Sequence, residues 1–253
     1  MADLAANAYE SDNRDFPICR LHPLGRLAVL AWMLVEVRGK YEALGVSEGI
    51  IADTFSDIAL RQRLYFQKTG KVGLSRADCV WLRHLANAQI FKLGVLQYQV
   101  WKMFYLESRD DGTPFFVISE AQKAKLPAGT SVLNVHIQKG ADLAQEHVTA
   151  SLRMAKDFFA QHFPETRFRA MVCYSWLLHS GLKDLLPGNS RILRFAENFE
   201  IISESGDRTQ AVERIFGKRH RRKADCPQQT NLQRAALRDI SKLGYALGVI
   251  YLD

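Results

Sequence analysis

Two short stretches hold residue types that can do chemistry. His136 ends the apolar run of residues 131–137, and a histidine there can act as the general base for an incoming amine. Gln138, Lys139 and Gly140 follow at once, a turn where glycine lets backbone amides approach a phosphate and Lys139 adds a point charge. The second stretch is Cys173-Tyr174-Ser175. Cys173 and Ser175 share one face of a strand and can touch a thioester or orient a substrate. A covalent cysteine route needs a thiol made acidic by a nearby base. Tyr174, on the other face, can protonate a leaving thiolate. Each residue also has a plain packing role open to it: a hydrogen-bonded core histidine, a small buried thiol, a strand aromatic.

These residues need a strand, helix, strand, short helix, strand order across residues 131–199. The run 131–137 is rich in β-branched residues and breaks at Lys139-Gly140. Asp142 opens an amphipathic helix that ends near Pro164, and its carboxylate is free either to cap that helix or to sit where an anion is received. Residues 168–178 form a second apolar run, and Asn189-Ser190 lead into a third over 192–202. Such a β-α-β unit implies a parallel pair of strands, and ligands favour their carboxyl ends. The search narrows to 136–142 and 173–179.

Residues 1–20 are polar and read as poorly ordered, and a helical domain follows over 21–95. One helix runs from Pro23 to about Leu44; Ser47 caps a second to about Lys68, with Ile51, Phe55, Ile58 and Ala59 as its stripe. Ser75 with Asp78 caps a third, closed by Gly94. Trp32, Trp81 and Phe91 fall on apolar stripes and read as core. At Leu96 the pattern turns to strand, with a hairpin turn at Asp110–Thr113 and a return strand at 116–118. A short helix ends at Gly217, Lys218–Lys223 is a basic loop, Thr230 and Gln233 start a last helix to about Leu243, and 245–252 is a buried final strand.

The chain has 253 residues, 47% apolar and 24% charged, with net charge +7. That balance fits an anionic small molecule, nucleic acid or no specific partner. No aromatic residues interleave with the basic loop, so nucleic acid is not the expected partner. The four cysteines are far apart, without metal-ligand spacing, and read as reduced thiols with no metal site. No signal segment is visible and the longest apolar stretch has nine residues, 27–35, against about 20 needed to span a bilayer. The expectation is a cytoplasmic protein without a membrane partner.

Several segments, in order, resemble one family. Residues 81–99, His136-Ile137, 151–159, 173–178 and Thr230–Ala235 are similar to bacterial acyltransferase domain-containing proteins, over roughly residues 40–250. The resemblance implies an α+β fold: a helical N-acyltransferase N-terminal domain, then a GNAT-like mixed β-sheet with flanking helices over 96–253. It implies transfer of an acyl group from acyl-CoA to an unidentified amine. His136, Cys173, Tyr174 and Ser175 are then the catalytic candidates, and Gln138, Lys139 and Gly140 hold the CoA pyrophosphate. The GNAT phosphate loop reads Gln/Arg-x-x-Gly-x-Gly/Ala, whereas Ala141 and Leu143 stand at its glycine positions here. That departure leaves a second reading open: a non-catalytic GNAT-like protein that binds another small ligand or a protein.

Overall fold

The computed structural model describes residues 17–105, 116–217 and 225–252. The described residues fall into two compact units, those up to Gln99 with Arg153–Glu165, and those from Val100 to Leu152 with those from Thr166 onward.

In the first unit a single 3-10 turn, Pro17–Arg20, buries Ile18. Three helices follow: α1 (Pro23–Ala43), α2 (Glu48–Thr69) and α3 (Arg76–Ala86). His22 caps α1 through its side chain, with proline in the first turn. Ser47 occupies the cap position of α2 but makes no side-chain cap bond. Ser75 and Asp78 form a reciprocal capping box on α3.

The third helix stops at Ala86, short of Gly94. The chain instead makes β1 (Ile90–Leu93) and β2 (Leu96–Lys102), an antiparallel hairpin closed by Gly94-Val95. Gly94 takes φ +67, so the glycine closes a tight turn rather than a helix. Burial explains the switch: Phe91 is fully buried, its ring 5.0–5.6 Å from those of Tyr41, Phe158, Phe159 and Phe163. The Tyr41 hydroxyl lies 3.1 Å and 3.0 Å from the carbonyls of Leu85 and Ile90 and so ties the end of α3 to the hairpin.

Two core expectations need correction. Trp32 is 45% exposed and is not core. The inner face of α2 carries Ile51, Thr54 and Asp57, while Ala59 is exposed. Polar groups are tolerated there because they are paired. Thr54 accepts from the Lys92 amide at 2.9 Å, and Asp57 accepts from Arg61 and from the Trp81 indole at 3.0 Å and 2.6 Å.

The six strands lie in the order β1-β2-β3-β4-β6-β5, with β3 at Ser131–His136, β4 at Ala170–Ser175, β5 at Glu200–Ser205 and β6 at Tyr245–Tyr251. β3 and β4 are parallel; β4–β6 and β5–β6 are antiparallel, so the sheet is mixed. The flanking helices are α4 (Glu120–Lys125), α5 (Gln145–His162), α6 (Arg191–Ala196), α7 (Thr209–Phe216) and α8 (Asn231–Arg238). The buried residues Val148, Ser151, Ala155, Phe158 and Phe159 recur at helical spacing along α5.

The expected return strand at 116–118 does not form. Those residues are irregular, and Ser119 caps α4 with Gln122 in a capping box. The turn at 110–113 and the basic run 218–223 lie outside the described residues. The apolar run 192–202 splits into α6 and β5, and the last helix ends at Arg238 before a 3-10 turn at Ile240–Lys242. Among the described residues, no helix is long and apolar enough to cross a membrane.

Candidate functional site

The parallel pair β3–β4 comes apart at one end. Val132 pairs with Ala170, Leu133 with Met171 and Asn134 with Val172. Both strands continue past that point, to His136 and Ser175, while β4 stays paired with β6 as far as Ser175–Ala246. The opening therefore lies between the carboxyl ends of two parallel strands, where ligands favour such sheets.

The register sorts the candidates by face. Val132, Asn134 and His136 alternate onto the same side of the sheet as Ala170, Val172 and Tyr174. Val132, Ala170 and Val172 share one core cluster, with Tyr174 and Trp101 packed against it. His136 is half-buried at the end of β3. The Tyr174 hydroxyl donates to the Met103 sulfur at 3.8 Å, and its carbonyl accepts from the Tyr245 hydroxyl at 3.1 Å. Burial pushes the Tyr174 hydroxyl well up, so it keeps its proton at neutral pH.

Cys173 and Ser175 face the other way. Cys173 is fully buried opposite Gly248, and burial pushes its thiol up, the reverse of what a thiolate nucleophile needs. Ser175 is buried, and its oxygen accepts from the Leu177 amide at 3.1 Å, capping the 3-10 turn that follows β4. Neither shares a face with His136.

The loop after β3 is built differently from the expectation for Asp142. The helix starts at Gln145, three residues later. Asp142 holds the loop: Oδ1 accepts from the Ala144 amide at 3.1 Å and from Arg191 at 2.7 Å, and Oδ2 lies 3.0 Å from His147 Nδ1. The Ala144 N–H, then Arg191 and His147, hold its carboxyl below the usual range. Gly140 takes φ +86, a left-handed conformation that favours glycine, and the Ala141 amide closes the turn onto the Gln138 carbonyl at 3.1 Å. Lys139 and Gly140 are exposed. The opening amides of α5, at Gln145 and Glu146, have no acceptor within the helix and form the positive end of 18 residues of helix. These groups suit a pyrophosphate: a left-handed glycine turn, a helix start and two cations, Lys139 and Arg191.

Residues 90–249 match the GNAT-like C-terminal domain, and residues 5–87 match the N-acyltransferase N-terminal domain. The chain belongs to the GNAT-like C-terminal domain family. No curated protein matches the chain. Among solved structures, an acyltransferase in complex with decanoyl-CoA is 22% identical, with TM-score 0.77, over 99% of this chain and 75% of the other. An acyltransferase in complex with decanoyl-CoA and teicoplanin is 20% identical, with TM-score 0.74, over 91% of this chain and 67% of the other. A third, in complex with CoA and 10C-teicoplanin, is 19% identical over the same shares. At these identities the likeness is one of fold.

In this GNAT-like domain two polar residues escape sequence reading. Asn134 is 9% exposed, and among the described residues its Oδ1 is unpaired and the buried Trp101 indole N–H has no acceptor. An unmet buried group costs about 1–3 kcal/mol. The signal for Asn134 was present: it stands two residues before His136, hence on the same face. Trp101 and the Arg191–Asp142 pair carry no comparable local signal. Among the described residues no cluster of His, Cys, Asp or Glu is placed to hold a metal.

Proposed function

We propose that this protein moves an acyl group from acyl-CoA to an amine. The observation that carries the reading is the parting of β3 and β4 beyond Asn134–Val172, with His136 and Tyr174 on one face at the opening. The acyl-CoA-bound acyltransferases that share its fold support this choice of donor.

When bound, acyl-CoA supplies a thioester carbon open to attack. The amides opening α5, the turn of Gln138, Lys139 and Gly140, and the Lys139 ammonium hold its pyrophosphate. Arg191 neutralises Asp142, so the carboxylate in this loop does not stand alone against the phosphates. His136 takes a proton from the acceptor nitrogen. Tyr174, a neutral phenol at physiological pH, gives its proton to the departing sulfur. Cys173 packs the sheet and Ser175 caps a turn, so the transfer is direct, without a covalent enzyme intermediate.

Calorimetric titration with acetyl-CoA and decanoyl-CoA tests the donor. Heat of binding is expected with at least one, followed by amine-dependent release of free CoA thiol. No heat and no thermal shift with either overturns the reading.

A further inference from the structure

We propose that Trp101 and Asn134 recognise a secondary amide group of the substrate, the indole N–H meeting its carbonyl and the carboxamide oxygen meeting its N–H. The inference rests on the acyl-transfer reading and adds the group that is read beside the reacting atoms.

Both atoms are buried without a partner among the described residues. They lie on adjacent strands, β2 and β3. They also lie on one face: Trp101 packs on the cluster of Val132, Ala170 and Val172, and Asn134 alternates with Val132 onto that side. Asn134 is the last β3 residue in register with β4, so the opening begins beside it. His136 follows on the same face, roughly 6.6 Å farther along the strand.

The pair selects by chemistry. Trp101 offers only a donor, and the orphaned Asn134 oxygen offers only an acceptor. A carboxylate satisfies the indole and sets oxygen against oxygen at Asn134. An ammonium satisfies Asn134 and leaves the indole unmet. A secondary amide carries one carbonyl and one N–H and satisfies both. Two substrates can bring such a group: the pantetheine arm of CoA, and an acceptor of peptide type.

Asn134→Leu and Trp101→Phe each remove one polar atom and keep most of the bulk. Titrations of wild type and both variants use acetyl-CoA, 3′,5′-ADP (which lacks the pantetheine arm) and N-acetylglycinamide added to CoA-saturated protein. About a 10-fold loss of acetyl-CoA affinity with 3′,5′-ADP unchanged supports the proposal and assigns the amide to the donor. Unchanged acetyl-CoA affinity with loss of N-acetylglycinamide binding supports it and assigns the amide to the acceptor. Variants that bind all three probes as wild type does overturn it, even if the Asn134→Leu protein melts higher; a trapped water between the two groups gives that result. If Asn134→Leu fails to fold, Trp101→Phe decides alone. Wild type silent toward both acetyl-CoA and 3′,5′-ADP overturns the acyl-transfer reading and this inference together.

Discussion

Arg191 donates to Asp142 at 2.7 Å across 49 positions of sequence. The contact joins the turn after β3 to the start of α6, and it makes the acidic residue of the loop part of an ion pair. Asp142 also spends an oxygen on the Ala144 amide, so it organises the backbone that leads into α5. Replacing Arg191 by Leu strips Asp142 of its guanidinium partner beside the amides proposed to hold the pyrophosphate. Acetyl-CoA affinity should fall about 10-fold by calorimetry, and Arg191→Leu with Asp142→Asn should recover most of it. The pair is exposed, so melting should barely change. An affinity unmoved by Arg191→Leu places the phosphates elsewhere.

The same carboxyl sets a pH signature. Asp142 is more acidic in the folded protein than its ordinary 3.8, chiefly through the Ala144 N–H. A depressed carboxyl stabilises the fold above its unfolded value, and that stabilisation is lost as pH falls through the folded value. Wild type should out-melt Asp142→Asn by a small margin at pH 5, small because the carboxyl is exposed, and the gap should close as the pH is taken well below 3.8. A gap of equal size at both pH values contradicts the assignment.

The proposed direct transfer makes Cys173 dispensable to chemistry. Cys173→Ala should keep kcat within about 3-fold and cost on the order of 1 kcal/mol of stability from the lost packing. Iodoacetamide should leave Cys173 unlabelled in the native protein by mass spectrometry. A 100-fold loss of kcat in Cys173→Ala revives the covalent route.

His136 and Tyr174 should separate from the binding groups in kinetics. His136→Ala is expected to lower kcat by about 10²- to 10³-fold with little change in KM for the acyl donor. Tyr174→Phe should lower kcat by about 10-fold. Equal loss in kcat and in donor affinity would make His136 a positioning residue instead.

Close approach singles out Gly244. A Cβ there meets His179 Nε2 inside contact distance and lies 2.7 Å from the Ser205 carbonyl. Gly244→Ala should cost about 3 kcal/mol or more in denaturant unfolding. Gly188→Ala, where a Cβ meets nothing within 4 Å, should stay within about 0.5 kcal/mol.

Local signals were legible and distant ones were not. The Ser75–Asp78 and Thr230–Gln233 capping boxes sit three residues apart and form as read. The β3–α5–β4 order also survives, because period 2 and period 3.6 differ plainly there. Gly94 misled because a glycine after an apolar stretch suits a helix end and a hairpin equally well. What decides is the burial of Phe91 among four distant rings. At the site, His136 and Tyr174 were within reach of the sequence as individual residues. Their common face depends on which β4 residue aligns with Asn134, a register that alternation within one strand does not fix. For Asp142 the sequence left two roles open, and a partner 49 residues away adds a third.

Consider finally when β6 becomes available. Cys173 pairs with Gly248 and Ile201 also pairs with Gly248, so one late strand fills the space between two earlier ones. During synthesis β4 and β5 leave the ribosome with those edges bare, and no hairpin can cover them in the meantime. The domain must hold an unfinished sheet for the time needed to make some forty further residues. Its fold therefore closes by insertion rather than by adding strands at the rim.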